Sequence, residues 1–221
     1  MAAAEEDRAE DDPGETTQYF ATHPRVPSQR RTLRFLYRGK LLNFEVDRGV
    51  FGSQGLDPGT ALLIEALEVR PTDHILDLGC GWGAIGVAAA RSAPEGLVVL
   101  TDVNRRAIQL ARSNLRRNLI TNAEVRAGNL FQPIGVDRFD VIATNPPYHA
   151  GRPVILRLLT EAPAHLAPDG RLLLVGKGSQ GIRYYQEWLR DRWGAGSVEV
   201  RARSSGYRVL EARPRGPTLQ T

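Results

Sequence analysis

From about residue 56 to residue 212 the chain alternates between short apolar runs and longer stretches in which apolar residues recur every three or four positions. The short runs predict strands at His74–Leu78, Leu97–Thr101, Ala123–Arg126, Phe139–Ala143, Arg171–Val175, Val198–Ala202 and Tyr207–Ala212. The longer ones predict helices over 58–68, Ala84–Arg91, Asn104–Arg117, Pro153–His165 and Ile182–Arg192, the first with Asp57 as N-cap and Pro58 in its opening turn. Alternation of this kind implies right-handed βαβ units and a mostly parallel sheet. Only Arg203, Ser204, Ser205 and Gly206 join the last two strands, too few for a helical crossover, so those strands must pair antiparallel. Two earlier runs, Thr32–Tyr37 and Leu41–Val46, flank Arg38-Gly39-Lys40 as a hairpin. The expected fold is α/β: a doubly wound, seven-stranded, mostly parallel sheet preceded by a short N-terminal β-hairpin, a topology different from the all-parallel dinucleotide-binding fold.

The 221 residues suffice for one large domain with a real core, and no apolar run approaches the ~18 residues that span a bilayer. Residues 1–18 hold seven acids against one arginine and almost nothing to bury, which predicts a disordered acidic tail. The expected division is that tail, a hairpin extension over 19–55, the main domain over 56–213 and a flexible end over 214–221. The opening residues lack the basic start and apolar stretch of a secretory signal, so the chain reads as cytoplasmic. With a net charge of +4 overall and −6 in the tail, the body carries +10, a surface that attracts polyanions such as RNA or DNA. Of 29 basic residues only Lys40 and Lys177 are lysine, a skew that a GC-rich genome also produces, so charge alone leaves both explanations open. The single cysteine, Cys80, and the four histidines, His23, His74, His149 and His165, show no metal-ligand spacing, and no metal is expected.

Strand His74–Leu78 runs into Gly79-Cys80-Gly81-Trp82-Gly83, with a helix starting at once. Glycines here let the backbone turn sharply and approach a ligand at the helix N-terminus. Gly81, Gly83 and Gly86 also satisfy the dinucleotide G-x-G-x-x-G pattern, with Asp102 about 20 residues on. Charge separates the two readings. Asp77 at the strand end would repel the phosphates of a dinucleotide, whereas S-adenosylmethionine has no phosphate and carries a sulfonium and an ammonium that a carboxylate attracts. On this reading Gly79, Gly81 and Gly83 shape the cofactor loop, Asp102 accepts the ribose hydroxyls, and Asn129 and Leu130 meet the amino edge and face of the adenine.

A fourth strand leads to Asn145-Pro146-Pro147-Tyr148. Two prolines stiffen this loop and remove two backbone donors, leaving it rich in acceptors. If the Asn145 side-chain oxygen and the Pro146 carbonyl each accept one N–H of a planar amine, its nitrogen is drawn toward tetrahedral geometry and its lone pair aims at the sulfonium methyl. Tyr148 would then stack on the flat acceptor, as aromatic side chains do with flipped bases. His149 beside it reads better as a substrate contact than as a general base, because a methylated ammonium loses its proton to water unaided. Cys80 reads as a small buried residue, and Lys177 as either a solvated loop lysine or a contact to RNA phosphate.

These residues resemble the class I methyltransferases of the small-domain type, in particular the small-subunit ribosomal RNA guanine-N2 methyltransferases of the methyltransferase C group and their short single-domain relatives. The resemblance spans about residues 19–213. It rests on Gly49-Val50-Phe51, Leu56-Asp57-Pro58-Gly59-Thr60, Asp77 to Gly83, Asn129-Leu130-Phe131, and Asn145 to Gly151, whose His-x-Gly extension is its most specific part. It implies S-adenosylmethionine as cofactor, with Thr60 and Asn145 added to the cofactor site. It further implies Phe51, Pro147, Tyr148 and His149 as substrate contacts, Asn145, Pro146 and Tyr148 as the catalytic group, and ribosomal RNA or the small ribosomal subunit as partner. Longer members carry a duplicated N-terminal domain where this chain has a short hairpin, many have Phe at the place of Tyr148, and the third-strand acid of the superfamily is Asn129 here. Two other readings are a methyltransferase acting on a protein glutamine or an adenine amine, and a cofactor-binding RNA assembly factor without turnover.

Overall fold

A computed structural model describes residues 26–214. The acidic tail, the start of the hairpin extension and residues 215–221 lie outside the described residues. The chain forms β1 (Arg30–Tyr37), β2 (Lys40–Asp47), α1 (Pro58–Glu65), β3 (Ile75–Leu78), α2 (Ala84–Ser92), β4 (Val98–Asp102), α3 (Arg105–Arg117) and β5 (Ala123–Ala127). It continues with β6 (Phe139–Thr144), α4 (Arg152–Glu161), β7 (Leu166–Lys177), α5 (Ile182–Trp193), β8 (Val198–Ser204) and β9 (Tyr207–Ala212). The main sheet has seven strands in the order β5-β4-β3-β6-β7-β9-β8, parallel except where β9 meets β7 and β8. The strand order reverses between β3 and β6, and in open α/β sheets the crevice at such a point is where ligands bind.

Period-two alternation on the inner strands explains the two layers. Ile75, Val98, Leu100, Val141 and Val175 face a core shared with α1, α2, α3 and the hairpin, while Leu76, Val99, Ile142 and Leu174 face a second core under α4 and α5. Five of the nine residues of helix α2 are Ala or Gly, which lets it lie close on the sheet. A Cβ on Gly86 would come within 2.4 Å of the Leu100 side chain.

Both hairpin turns are tighter than their sequences suggest. Arg38-Gly39 and Ser205-Gly206 each place two consecutive residues at positive φ, the pattern of a two-residue type I′ turn whose twist matches the strands it joins. Other boundaries shift for local reasons. The first helix stops at Glu65 rather than 68, with Ala66 as its C-cap and Leu67 buried in the core beyond it. The helix expected through His165 passes at Ala162 into a 3-10 turn containing Pro163, which cannot donate to the helical ladder.

The hairpin is joined to the main body by asparagines. Asn118 Oδ1 accepts from Asn43 N (2.9 Å) and its Nδ2 donates to Asn43 O (2.7 Å), while Asn114 makes the same pair of bonds with Glu45 (2.7 and 2.8 Å). Residues four apart on a helix rise ~6.0 Å and residues two apart on a strand ~6.8 Å, so Asn114 on α3 and Asn118 at its C-cap match the free edge of β2. Asn114 also donates to Trp82 O at 2.8 Å, and Trp82 packs edge-on against Phe44, so the hairpin braces the glycine loop. Asn114→Ala strands the part-buried backbone groups of Glu45 and the buried Trp82 carbonyl and should cost about 2–4 kcal/mol in urea unfolding. A loss below about half a kcal/mol would show that the asparagine pairing is incidental.

Candidate functional site

A cavity of about 320 Å³ opens at the C-terminal ends of β3, β4, β5 and β6. The glycine loop forms its floor. Gly79 N and Cys80 N both donate to Thr101 O (2.9 and 2.8 Å), and Gly81 N donates to Asp102 Oδ2 (2.9 Å), so this loop is tied to the end of the neighbouring strand. Gly79, at φ +75°, lines the cavity, and a Cβ built there would meet no protein atom within 4 Å. A side chain at that position would take up space beside the loop where a ligand must lie.

Asp102 stands on the wall with Oδ2 on Gly81 N and Oδ1 on Asn104 N (2.8 Å). Each carboxylate oxygen keeps a second lone-pair site to accept a hydroxyl. Burial pushes this carboxyl up to about 6, against the opposing pull of the Asn104, Gly81 and Val103 backbone N–H groups. Asn129 and Leu130, just after β5, line the same cavity, with Leu130 at φ +48°. Phe51 and the exposed His149 complete the rim.

On the opposite side lies the loop after β6. Asn145 Nδ2 donates to Asp57 Oδ2 (3.0 Å) and to Thr60 Oγ1 (2.9 Å), which commits both amide hydrogens and leaves Oδ1 as the group able to accept. Pro147, at φ −74° and ψ 77°, forms an inverse γ-turn in which Tyr148 N donates to Pro146 O (2.9 Å). The Pro146 carbonyl is therefore already half used, with one lone pair left for a substrate N–H. Tyr148 lines the cavity, and its hydroxyl donates to Val175 O (2.7 Å) on β7. That bond requires glycine at 176, where a Cβ would sit 2.2 Å from the Tyr148 oxygen. Burial, with Tyr185 adding to it, pushes the Tyr148 hydroxyl well above its ordinary range, so it acts as a fixed donor and holds the ring in place.

Two expected cofactor residues are placed elsewhere. Gly83, at φ +89°, is the N-cap of α2 and packs on Leu100 and Ala111 rather than on the cavity. Asp77 is fully buried, is not among the cavity-lining residues, and accepts from Gly86 N at 2.7 Å, while its Oδ1 has no hydrogen-bond partner. The role expected for it, a charge that selects the sulfonium cofactor over a dinucleotide, is thereby corrected. Burial raises this carboxyl to about 7, opposed by the Gly86 N–H and reinforced by Asp102, so Asp77 fixes the first turn of α2 rather than presenting a charge to the ligand. The sign of its effect on stability follows. Between about pH 4 and pH 7 the unfolded chain has lost a proton that the folded one keeps, so this group lowers stability as pH rises across that window and adds nothing further above it. Wild type should lose a few kcal/mol relative to Asp77→Asn between about pH 4 and pH 7.5, at about 1.4 kcal/mol per unit. Parallel curves for the two proteins would show that the folded-state carboxyl titrates normally.

Cys80 is buried within the loop, and that burial, with Asp102 and Asp77 adding to it, pushes its thiol well above its ordinary value. It has the character of a packing residue, not a nucleophile. Sequence reasoning missed two side chains. Asp57 caps α1 through Thr60 N (2.9 Å), as expected, but the same carboxylate also holds Asn145 and accepts from the Tyr207 hydroxyl (3.1 Å). Tyr207 comes from β9, and only the close approach of Gly59, where a Cβ would lie 2.5 Å from its ring, makes room for it.

Residues 41–211 match the family model described as methyltransferase small domain. Over 197 residues the chain is 33% identical to an uncharacterized Bacillus subtilis protein, YbxB, a match covering 88% of this chain and 97% of that one. It is also 33% identical over 169 residues to the ribosomal RNA small subunit methyltransferase C of Haemophilus influenzae, covering 75% of this chain and 49% of the relative. Among solved structures, the 16S rRNA N2 methyltransferase RsmC of T. thermophilus, in complex with AdoMet and guanosine, superimposes with a TM-score of 0.74 at 28% identity, covering 87% of this chain and 52% of that one. The chain thus spans about half the length of the methyltransferase C relatives it matches.

Proposed function

The chain belongs to the methyltransferase small domain family, and from that premise we propose that it is an S-adenosylmethionine-dependent N-methyltransferase acting on the exocyclic N2 amine of a guanine in small-subunit ribosomal RNA. The observation that carries this reading is the Asn145 amide, whose two hydrogens are held by Asp57 and Thr60 so that its oxygen is the part left for an acceptor. The cofactor fits the residues present: the glycine floor leaves room for it, and Asp102 offers paired acceptors for a ribose.

When bound, S-adenosylmethionine supplies an electrophilic methyl on a sulfonium. The chain does the rest by placement. Asn145 Oδ1 and the free lone pair of Pro146 O each accept one N–H of the guanine amine, which turns the nitrogen lone pair out of conjugation and toward the methyl. The Tyr148 ring, held at its hydroxyl by Val175 O, gives the base a flat face. Transfer of that methyl would leave the nitrogen with a positive charge, the sulfur keeping the electron pair of the broken C–S bond. The Asn145 and Pro146 oxygens stabilise that charge until one proton leaves to water. Thr60 acts through Asn145 as a positioning residue.

The acceptor is tested by offering the full chain and labelled cofactor to naked small-subunit rRNA, to assembled small subunits and to a release factor. We expect label on RNA in at least one of the first two. Label on the protein glutamine and on neither RNA preparation would overturn the proposal.

A further inference from the structure

A second cavity of about 370 Å³ opens beside the first. The 3-10 turn Gly178–Gln180 divides them: Gln180 lines the acceptor cavity, whereas Lys177 and Ser179 line the second. The rest of its wall includes Arg183 from α5 together with Arg203, Tyr207 and Arg208 from the β8–β9 hairpin. Four cations meet here, and among the described residues no acid lines the cleft.

Three features show that this charge is built in rather than scattered. Arg203 and Arg208 are direct partners in the antiparallel register, an arrangement of like charges that destabilises a strand pair. The type I′ turn Ser205-Gly206 fixes that register, so the two cannot slip past each other. Among the described residues none of Arg183, Arg203 and Arg208 forms an ion pair, whereas Arg201 on the same strand pairs with Glu68 (2.7 Å) and Glu211 (3.5 Å). Desolvation pulls the Arg208 guanidinium below its ordinary value, and the charges of Arg183 and Arg203 act in the same direction. Lys177 Nζ is held 4.7 Å from the centre of the Tyr207 ring, and the Tyr207 hydroxyl supports Asp57, which in turn holds Asn145.

We propose that this cleft binds the phosphodiester backbone of the acceptor RNA beside the base inserted into the neighbouring cavity. The proposal rests on the reading of RNA as the acceptor and assigns the residues that grip it. Guanidinium forks match phosphate oxygens in shape and charge. Base and phosphate in a strand are separated by one sugar, so a cleft that shares a wall with the base site is where the backbone of an inserted base runs. Extruding a base costs a few kcal/mol, and phosphate contacts in this cleft offset that cost.

The test uses the full chain, a fluorescently labelled transcript of a small-subunit rRNA stem-loop, and anisotropy measured from about 50 to about 200 mM salt. Arg203→Gln/Arg208→Gln should raise the RNA Kd about tenfold or more and make the log–log salt slope shallower by about 1.4, roughly 0.7 for each lost contact. The same protein should bind S-adenosylmethionine as the parent does and unfold at an equal or higher urea concentration, since a like-charge pair has been removed. Arg203→Lys/Arg208→Lys keeps the charge but not the fork, so it should hold the parent salt slope while binding RNA more weakly than the parent and more tightly than the Gln variant. Parent affinity and salt slope in the Gln variant would overturn the proposal. So would a loss of RNA binding matched by an equal loss of cofactor binding, which marks a structural role. RNA held with the predicted slope by a protein that labels only glutamine would refute the acceptor assignment and leave the cleft standing.

Discussion

Asn145→Ala should lower kcat by about 10²- to 10³-fold, in the range seen when one preorganised electrostatic contact to a transition state is removed, and leave cofactor affinity within about threefold. The reason lies in how the amide is held. Both its hydrogens go to Asp57 and Thr60, so the oxygen presents one fixed acceptor whose interaction strengthens only as the amine nitrogen pyramidalises and gains charge. An interaction made mainly in the transition state appears in kcat rather than KM. Asp57→Asn should give a smaller loss of the same kind, because the amide keeps its Thr60 contact but is no longer held by a charge. Stopped-flow and steady-state methyl transfer at saturating cofactor read both variants. Full turnover in Asn145→Ala with lost cofactor binding would invert the roles assigned to the two sides of the cavity.

The second large effect is expected on the other wall. Asp102→Ala should weaken S-adenosylmethionine by about 10²-fold or more, from the loss of charge-assisted bonds to ribose hydroxyls at roughly 1.5 to 3 kcal/mol each. The anchors to Gly81 N and Asn104 N go with it, so the loop loses order as well. Because this carboxyl is raised to about 6 and the ligand accepts only its ionised form well, wild-type affinity should fall as pH drops through about 6 and level off above about 7. Asp102→Asn should bind weakly at every pH with no such step. Calorimetry from about pH 5 to about pH 8 separates these outcomes, and a flat wild-type profile would remove Asp102 from the ribose contact.

Local pattern carried most of the fold. The alternation of strand and helix, the antiparallel end of the sheet and the positions of both loops could be read because each depends on a few adjacent residues: apolar period, glycine, paired prolines. The misreadings concern direction and partnership across long separations. A strand residue such as Asp77 faces one layer or the other by parity, and only the packed sheet shows that it turns toward α2 and Gly86 instead of toward the ligand. Asp57 looked complete as a helix cap. Nothing nearby in sequence marks that its carboxylate also meets Asn145, 88 residues on, and Tyr207, 150 residues on. Asn114 and Asn118 read as ordinary polar positions late in a helix, since the strand edge they serve lies about 70 residues earlier. The like-charge pair of Arg203 and Arg208 depended on the turn type. A four-residue link would have left their register open, whereas the two-residue turn sets them face to face.

Alignment of a guanine N2 amine by the Asn145 loop is read out by nucleoside mass spectrometry of small-subunit rRNA after incubation with the purified chain and S-adenosylmethionine, with Asn145→Ala in parallel. N2-methylguanosine is expected in the wild-type digest, reduced by about two orders of magnitude or more in the variant. Methyl found on adenine, or N2-methylguanosine formed equally by both proteins, would contradict that alignment.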